Sequence, residues 1–425
     1  MKISHIIRKS NRTIKTKCFS ISGCSEDINV LKEEIAANLQ GRPKRLLVVI
    51  NPNSGKKKAL KVYEKYAAPL FKDCGIHADV RVTKKPKDLT EILKQYDLSH
   101  IDGIVAVGGD GTYCECINGL VKRIQNDNNI DQNNHKTDIL PATLPIGFVP
   151  AGSGDVIAQY LHGTRCPRTA VLHILLGEQV AANLVSVHEG EKLLSYSALV
   201  LGFGLFGDMM HDCEKFRWMG PARYNLIPLA NMIKRREFDV EVEYFPGKKN
   251  EVTKRGRLYG RQISLPNGSL AAANLSRKQR TKSTSDLRQK EEIKDSIKEK
   301  GRVYAVDSHA IMMKEKSGRM TPHFGQDNLM VYTTHKCSLT DHLSQLTKVK
   351  DEKPNCYDFK FVSKHSVSGY RVNLTNATVT NKDGRKVLQK DYYINCDGET
   401  IRLSEPCFDV KLHRKVVKFF GNVAG

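Results

Sequence analysis

The chain has no long apolar run, few aromatic residues and no cysteine pairs with metal-binding spacing. Its longest apolar stretch, Ala198 to Phe206, is about half the length of a membrane-spanning helix. None of the 11 cysteines forms a CxxC pair, which argues against a zinc site or a thioredoxin-like centre. Scattered cysteines of odd number indicate a reducing compartment.

Acidic residues are also scarce, with 46 Asp and Glu against 68 Lys and Arg, and the net charge is +22. A protein this basic is attracted to nucleic acid or to an anionic membrane surface. The sequence has one tryptophan, Trp218, no Cys/His finger spacing and no aromatic nucleic-acid-binding strand, so nucleic acid is not an expected partner. Peripheral membrane contact is favoured. The alternative is that part of the charge only keeps loops in solution.

The first 41 residues form a basic extension. Residues 1–25 contain six Lys or Arg and no acid before Glu26, a composition found in mitochondrial presequences. A basic, frayed tail is the favoured interpretation, and a helix is expected over 27–38. The expected location is the cytoplasm, at membrane surfaces.

Residues 42–181 show alternating strand and helix patterns. Three apolar runs, 46–50, 103–107 and 144–149, each end in a glycine-rich turn that precedes a helical pattern. The turns are NPNSG (51–55), GGDGT (108–112) and PAGSGD (150–155). This alternation predicts an α/β domain with a parallel, Rossmann-like sheet covered by helices on both faces.

From residue 182 to 425 the apolar segments become short and alternating, which predicts a second, mainly antiparallel β domain. Residues 265–300 are polar, charged and repetitive. They are expected to form a disordered insertion in this domain.

The three turns predict a phosphate-binding crevice. The carboxyl ends of parallel strands lie on one edge of a sheet, and free N–H groups at helix starts bind phosphate. The chain lacks both the GxxxxGK[ST] loop and the dinucleotide fingerprint, so a nucleoside triphosphate and phosphoryl transfer are expected. Asp110, between two glycines, is a candidate for holding magnesium or accepting a hydroxyl proton. The alternative is that it caps the next helix.

These motifs closely resemble the diacylglycerol kinase-type catalytic domain of lipid kinases, a group that includes sphingosine and ceramide kinases. GGDGT alone is less specific, since NAD kinases and phosphofructokinases carry a similar turn. Residues 185–226, INCDGE at 394–399 and KVYEKYAAPLF at 61–71 resemble the ceramide kinase branch. The resemblance covers about residues 42–260 and 301–421. It departs at the absence of a CxxxCxxC cluster after residue 245 and of a pleckstrin-homology-like domain at the start.

The resemblance implies roles for individual residues. Asp110 would be the general base or its close partner, Asp397 would lie near Mg²⁺, and Asp208 would contact the lipid. The nucleotide would be bound by the turn residues, by residues further along the chain and by two arginines: Asn51, Pro52, Asn53, Ser54, Gly55, Gly108, Gly109, Gly111, Thr112, Glu115, Ala151, Gly152, Ser153, Gly154, Arg217, Arg223, Gly398 and Glu399.

The function implied is transfer of the ATP γ-phosphate to the primary hydroxyl of ceramide, which gives ceramide 1-phosphate. The alternatives are a sphingosine or diacylglycerol kinase, or a catalytically weak, ceramide kinase-like lipid-binding protein. A carboxylate at the lipid site would help to bind the amine of sphingosine and would disfavour the uncharged amide of ceramide. Asp208 and Asp212 are the carboxylates expected near that site.

Overall fold

The computed structural model describes residues 2–8, 14–20, 41–55, 57–247, 296–314, 320–322, 324–348, 356–380 and 386–421, with isolated positions 26, 29, 30 and 33. The strands of the first half are β1 Lys2–Arg8, β2 Ile14–Ser20, β3 Arg45–Ile50, β4 His77–Val82, β5 Gly103–Gly108, β6 Pro145–Pro150, β7 Gln179–Glu189, β8 Lys192–Ser197 and β9 Val200–Gly204. Those of the second half are β10 Phe238–Pro246, β11 Ile297–His309, β12 Met312–Lys314, β13 Met320–Pro322, β14 Leu329–His335, β15 Val362–Leu374, β16 Thr378–Thr380, β17 Lys386–Leu388, β18 Tyr393–Cys396, β19 Glu399–Arg402 and β20 Cys407–Phe420.

The α-helices are α1 Ala59–Val62, α2 Ala68–Asp73, α3 Asp88–Gln95, α4 Asp110–Asp127, α5 Val156–His162, α6 Pro167–Leu176, α7 Leu205–Lys215, α8 Arg223–Lys234 and α9 Leu339–Thr347. A π-helical segment, Tyr63–Ala67, joins α1 to α2, and 3₁₀ segments cover Leu98–His100 and Arg217–Ala222. No described helix is long and apolar enough to cross a bilayer.

Strands β4, β3, β5 and β6 form a parallel sheet in that order. Strands β3, β5 and β6 are apolar on both faces because helices cover both sides, and β5 and β6 are buried at every position. The edge strand β4 carries polar residues and has no buried position. One core face includes Tyr113, Ile117 and Leu120 of α4. The other is covered by α1, α2 and α6, with Phe71 and Leu172 buried.

The same sheet continues into the second half of the chain. The end of β20 pairs in parallel with β6, and beyond it the strands run antiparallel in the order β15, β10, β11, β9, β18 and β19. Strand β7 pairs with β20 and β8, and β14 pairs with β11 and β15. The predicted fold class, a parallel α/β unit followed by mainly antiparallel β-structure, is therefore confirmed.

Two segments differ from the patterns of the sequence. The Asn- and Asp-rich stretch 125–137 predicts a polar loop, but helix α4 runs from Asp110 to Asp127. The buried Gln125 side chain holds the end of this helix by bonding both backbone groups of Leu140 at 2.8 Å. Strand β11 begins at Ile297, inside the predicted insertion. Its lysines face β10 acids, as in the Lys298–Glu243 ion pair, so an apparently unstructured Lys/Glu sequence pairs across strands.

The basic extension also differs from a frayed tail, since β1 and β2 pair antiparallel with Ile6 opposite Thr16. These strands are rich in β-branched residues, which favour extended pairing. Most of the helix predicted over 27–38 lies outside the described residues, and so do positions 265–295 of the predicted insertion.

Candidate active site

The three glycine-rich turns meet at the carboxyl ends of β3, β5 and β6. The Asn51 N–H donates to the Val107 carbonyl at 3.0 Å, and the Ala151 N–H donates to the Gly108 carbonyl at 2.7 Å. These bonds continue the parallel ladder by one residue beyond each strand. The first turn is thereby joined to the second, and the second to the third.

Side chains join the first two turns more tightly. Asn51 Nδ2 donates to Thr112 Oγ1 at 3.0 Å, and Ser54 Oγ lies 3.2 Å from the same oxygen. Ser54 Oγ also accepts the Gly109 N–H at 3.3 Å. Asn51 Oδ1 accepts the Asn53 N–H at 3.1 Å, which holds the NPNSG turn closed. Five predicted site residues thus form one polar network.

Close backbone approach explains the glycines at the crossing point. A Cβ on Gly152 would lie 2.6 Å from the Cα of Gly109, and a Cβ on Gly55 would lie 2.7 Å from the Ala151 carbonyl oxygen. Gly55 also has φ +54, where side chains other than glycine are disfavoured. The turns therefore pack against each other as bare backbone, with no side chain at the crossing point.

Asp110 lies where the second and third turns meet. Its carboxylate accepts the N–H groups of Val156 at 3.2 Å and Ile157 at 3.1 Å, the first two residues of α5. It is itself the first residue of α4. The carboxylate is thus fixed in the crevice by backbone donors of another helix, and each oxygen has a further lone pair.

Asp155 is a second carboxylate at this junction, and the sequence reasoning did not single it out. Its Oδ1 accepts the Gly152 N–H at 3.0 Å, and its backbone has φ +49. Burial, and secondarily the negative charge of Asp110, raise the pKa of Asp155 to about 6. The available sequence signal was its position as the last residue of PAGSGD.

The other predicted acidic residues stand further along α4 and in the β18–β19 turn. Glu115 Oε1 accepts the Thr90 N–H at 3.2 Å at the start of α3, and burial raises the pKa of Glu115. Glu399 is exposed and lies within electrostatic reach of Lys87 and Lys122. Gly398, before it, has φ +92.

Asp397 occupies the same turn with its carboxylate buried. Oδ1 accepts from the Ser197 hydroxyl at 2.6 Å and from the N–H groups of Leu199 and Val200 at 3.0 and 2.9 Å. Oδ2 accepts the Ala198 N–H at 2.6 Å. These bonds fix the connection between β8 and β9. No cluster of three metal-ligating side chains occurs in the described part of the chain.

The two predicted arginines come from the segment after α7. Arg223 is the half-buried first residue of α8 and lies near Cys213 of α7. The side chain of Arg217 falls outside the described part of the structure. The contacts described here do not bring either arginine together with the glycine-rich turns.

Asp208, the predicted lipid contact, is paired with a cation. Arg236 donates to both of its carboxylate oxygens at 3.2 Å, and the guanidinium lies between the rings of Phe238 and Tyr392, 4.8 and 4.9 Å from their centroids. Asp212 likewise accepts from Lys234 at 3.0 Å and Asn231 at 2.9 Å. Both carboxylates expected near the lipid are thus neutralised within the protein.

A small pocket lies among α7, β11, β14 and α9. Leu205, Phe206 and Ala305 give it apolar walls. His342 Nε2 and Gln345 Oε1 also belong to its lining residues and are buried without a partner among the described residues. Burial, and then Arg235, lower the pKa of His342 to about 4, so the pocket's imidazole is uncharged near neutral pH.

Comparison with known proteins identifies the first half of this arrangement. Residues 45–187, which contain all three turns, match the model of the diacylglycerol kinase catalytic domain. The chain carries a diacylglycerol kinase catalytic domain. The chain is an ATP-dependent lipid kinase.

Similarity to individual lipid kinases extends over the second half. The chain is 29% identical to human ceramide kinase over 408 residues, 91% of this chain and 75% of that enzyme. It is 37% identical to Arabidopsis thaliana sphingosine kinase 1 over 210 residues, 48% of this chain and 41% of that protein. A putative diacylglycerol kinase from Bacillus anthracis str. Sterne has the same fold, with a TM-score of 0.54, 14% identity and coverage of 90% of this chain and 98% of that one.

Proposed function

We propose that the chain transfers the γ-phosphate of ATP to the primary hydroxyl of ceramide, giving ceramide 1-phosphate and ADP. The observation that carries the proposal is the junction of three glycine-rich turns around Asp110. Bare backbone at the crossing of Gly109 and Gly152 fits the close approach of phosphate groups. The nucleotide would be held by these turns, with Asn51, Ser54 and Thr112 fixing their relative positions.

Asp110 would accept the proton of the lipid hydroxyl. The hydroxyl oxygen forms a bond to the γ-phosphorus, the bond from that phosphorus to the bridging oxygen of ADP breaks, and the proton passes to the Asp110 carboxylate. The bonds from Val156 and Ile157 keep the carboxylate oriented during this transfer. The side chain does not cap α4, the next helix, as the alternative interpretation expected; it accepts the N–H groups at the start of α5 instead.

Magnesium would be held mainly by the nucleotide phosphates and water, with one or two protein carboxylates, as is usual for this ion. Asp397 fits such a role poorly because its oxygens already accept four hydrogen bonds. Asp110 fits better because it lies in the crevice. When bound, the ion supplies positive charge to the transferring phosphoryl group.

Ceramide is proposed over sphingosine on the charge of the lipid-binding half. Arg236 neutralises Asp208 and Lys234 neutralises Asp212, so neither carboxylate stands ready for an ammonium group. The polar residues of the pocket, His342 and Gln345, are uncharged near neutral pH, which suits an amide. The extended similarity to human ceramide kinase supports the same choice. Sphingosine and diacylglycerol kinases, and a weakly catalytic lipid-binding protein, are the alternatives.

The enzyme would act from the cytoplasm on lipid held in membranes, with contact through a basic surface. Attraction of the net charge of +22 to anionic lipid supports this location. Mitochondrial targeting by the basic extension is the less favoured alternative.

The test is transfer of labelled phosphate from Mg-ATP to ceramide, sphingosine and diacylglycerol in mixed micelles. We expect ceramide to be labelled fastest and Asp110→Asn to lower the rate by about 10²–10⁴-fold. Asp102→Asn is the matched control, because Asp102 Oδ2 also accepts two backbone N–H groups, those of Lys44 and Arg45, at the opposite edge of the sheet. Faster labelling of another lipid would replace ceramide as the substrate, and no labelling would favour the lipid-binding alternative.

A further inference from the structure

Helix α8 turns an apolar face away from the protein. Leu226 and Ile233 are 52% and 71% exposed, and Ala230 between them is exposed as well. The spacing of i, i+4 and i+7 places these three residues on one side of the helix. Ile227 and Asn231, about 100–140° around the helix from Leu226, are buried. The side of the helix with Leu226, Ala230 and Ile233 is not covered by the described residues.

Trp218 is a further exposed apolar residue close to α8 in the sequence. It is the only tryptophan of the chain and is 80% exposed in the 3₁₀ segment directly before α8. Its indole lies edge-on to Phe216, with centroids 6.5 Å apart. Tryptophan favours the boundary between water and lipid because its ring is apolar and its N–H is polar. We call Trp218, Leu226, Ala230 and Ile233 the outer α8 face.

The charge around the outer α8 face is positive on balance. From Asp208 to Arg236 the sequence contains six basic residues, all from Lys215 onward, and three acidic residues, Asp208, Asp212 and Glu214. Lys234 and Arg236 are paired with Asp212 and Asp208. Lys215 and Lys234 are exposed. An exposed apolar face flanked by lysine and arginine complements an anionic membrane surface, where the apolar groups enter the interface and the cations meet the headgroups.

We propose that the outer α8 face docks the enzyme onto anionic membranes. The inference rests on the proposed function, since it explains how a kinase without a described membrane-spanning helix reaches a lipid substrate. Helix α8 is held to α7 by the bonds from Asn231 and Lys234 to Asp212. Leu205 and Phe206 of α7 line the pocket. Docking through α8 would thus bring the wall of the pocket to the membrane surface.

Trp218 allows the docking to be observed without a label. Because Trp218 is the only tryptophan of the chain, selectively excited tryptophan fluorescence reports on this position alone. On phosphatidylcholine vesicles containing phosphatidylserine, we expect a blue shift and quenching by brominated acyl chains, and a weaker effect on vesicles of phosphatidylcholine only. Cosedimentation with anionic vesicles without either change would overturn the proposal, because another surface would then bind. A blue shift that grows with protein concentration in the absence of vesicles would overturn the proposal, because the outer α8 face would then bind a second copy of the chain.

Variants test the face independently of fluorescence. The double variant Leu226→Ser, Ile233→Ser should weaken binding to anionic vesicles by at least about tenfold. The matched control is Leu60→Ser, Val82→Ser, which removes two residues that are each 41% exposed in the nucleotide-binding half. The control should bind as the unaltered chain does. Equal binding by both double variants would overturn the proposal.

Failure of the docking and failure of the proposed function give different results. Phosphorylation of a water-soluble, short-chain ceramide without vesicles should be the same in the Leu226→Ser, Ile233→Ser variant and the unaltered chain. If this activity is present while vesicle binding ignores the outer α8 face, the function stands and the docking falls. If vesicle binding depends on the face while no lipid is phosphorylated, the docking stands and the kinase proposal falls.

Discussion

The carboxylates of the candidate site differ in what holds them. Asp110, Asp155 and Asp397 accept backbone N–H groups, whereas Asp208 is paired with Arg236. Backbone donors orient a carboxylate without cancelling its charge fully, so it stays available to a ligand or a proton. The arginine cancels the charge, and its Nη1 donates to both oxygens of Asp208. Carboxylates held by backbone donors, such as Asp110, are therefore suited to phosphoryl chemistry, whereas the paired Asp208 is suited to a site for a neutral lipid.

Asp155 should make stability depend on pH. Its pKa of about 6 lies above the ordinary value of 3.8, so the folded state retains a proton that the unfolded state releases. The free energy of unfolding should therefore fall as the pH rises from about 4 to about 6. Asp155→Asn keeps the acceptor for Gly152 and tolerates the positive φ. Above pH 6 it should be more stable than the unaltered chain by about 1–3 kcal/mol.

Chemical denaturation of both proteins on either side of this pH range measures the difference. Carboxylates that do not interact with Asp155 contribute equally to both proteins, so the comparison isolates Asp155 together with its coupling to Asp110. A constant difference in unfolding free energy across the range would contradict the prediction.

Arg236 should determine the preference for a neutral lipid. Arg236→Gln removes the charge that neutralises Asp208, and an ammonium group of sphingosine could then take its place. We expect the ratio of sphingosine to ceramide phosphorylation to rise by about tenfold, the equivalent of about 1.4 kcal/mol. The control is Arg302→Gln, which breaks an exposed pair with Asp239. A ratio unchanged in both variants would show that Asp208 does not face the lipid headgroup.

At the scale of elements, the β18–β19 turn fixes the β8–β9 connection through Asp397. In the unaltered chain both carboxylate oxygens of Asp397 accept hydrogen bonds. An asparagine side chain has only one oxygen acceptor, so in Asp397→Asn at least one buried N–H loses its partner. We expect the free energy of unfolding to fall by about 2–4 kcal/mol in the absence of magnesium. The control is Asp391→Asn, at an exposed pair with Arg402. A variant of full stability whose activity needs more magnesium would instead support the metal role.

The strands and turns of the first half could be predicted because their signals are local. The runs at β3, β5 and β6 are apolar on both faces, and each glycine-rich turn follows directly in the sequence. Their meeting at one edge follows from parallel pairing alone. The start of β11 was missed because Lys298 and Lys300 resemble an unstructured segment until their β10 partners are known.

The partners of the site residues could not be predicted for the same physical reason. Asp397 bonds to Ala198, and Asp110 to Ile157, across separations that no local pattern encodes. Arg236 follows Asp208 by 28 positions, yet nothing in the sequence distinguishes it from Arg235 beside it. Residue types thus predicted the class of chemistry. Which carboxylate is neutralised depends on tertiary packing.

At the scale of the whole molecule, β20 joins the two halves. Its residues pair with β15, β6 and β7, and the predicted domain border at 181/182 falls within β7. Phe419 packs against Tyr113 of α4, and Phe420 lies against Gly103 of β5. We therefore propose that the nucleotide-binding and lipid-binding regions are functional divisions of one sheet, in which the end of the chain completes the core of its beginning.

This arrangement predicts that residues 42–181 do not fold by themselves. Without β20, the edge of β6 is unpaired and the space filled by Phe419 and Phe420 is open. Removing one buried phenylalanine side chain lowers the free energy of unfolding by about 3–5 kcal/mol. The free energy of unfolding of a single domain is only about 5–15 kcal/mol in total.

Addition of residues 407–421 through a flexible linker should restore part of the cooperative unfolding transition, measured by near-ultraviolet circular dichroism during denaturation. The same fusion with Phe419→Ala and Phe420→Ala is the control and should remain unfolded. A cooperative transition in residues 42–181 alone would instead make this region an independent domain, to which the second half is only attached.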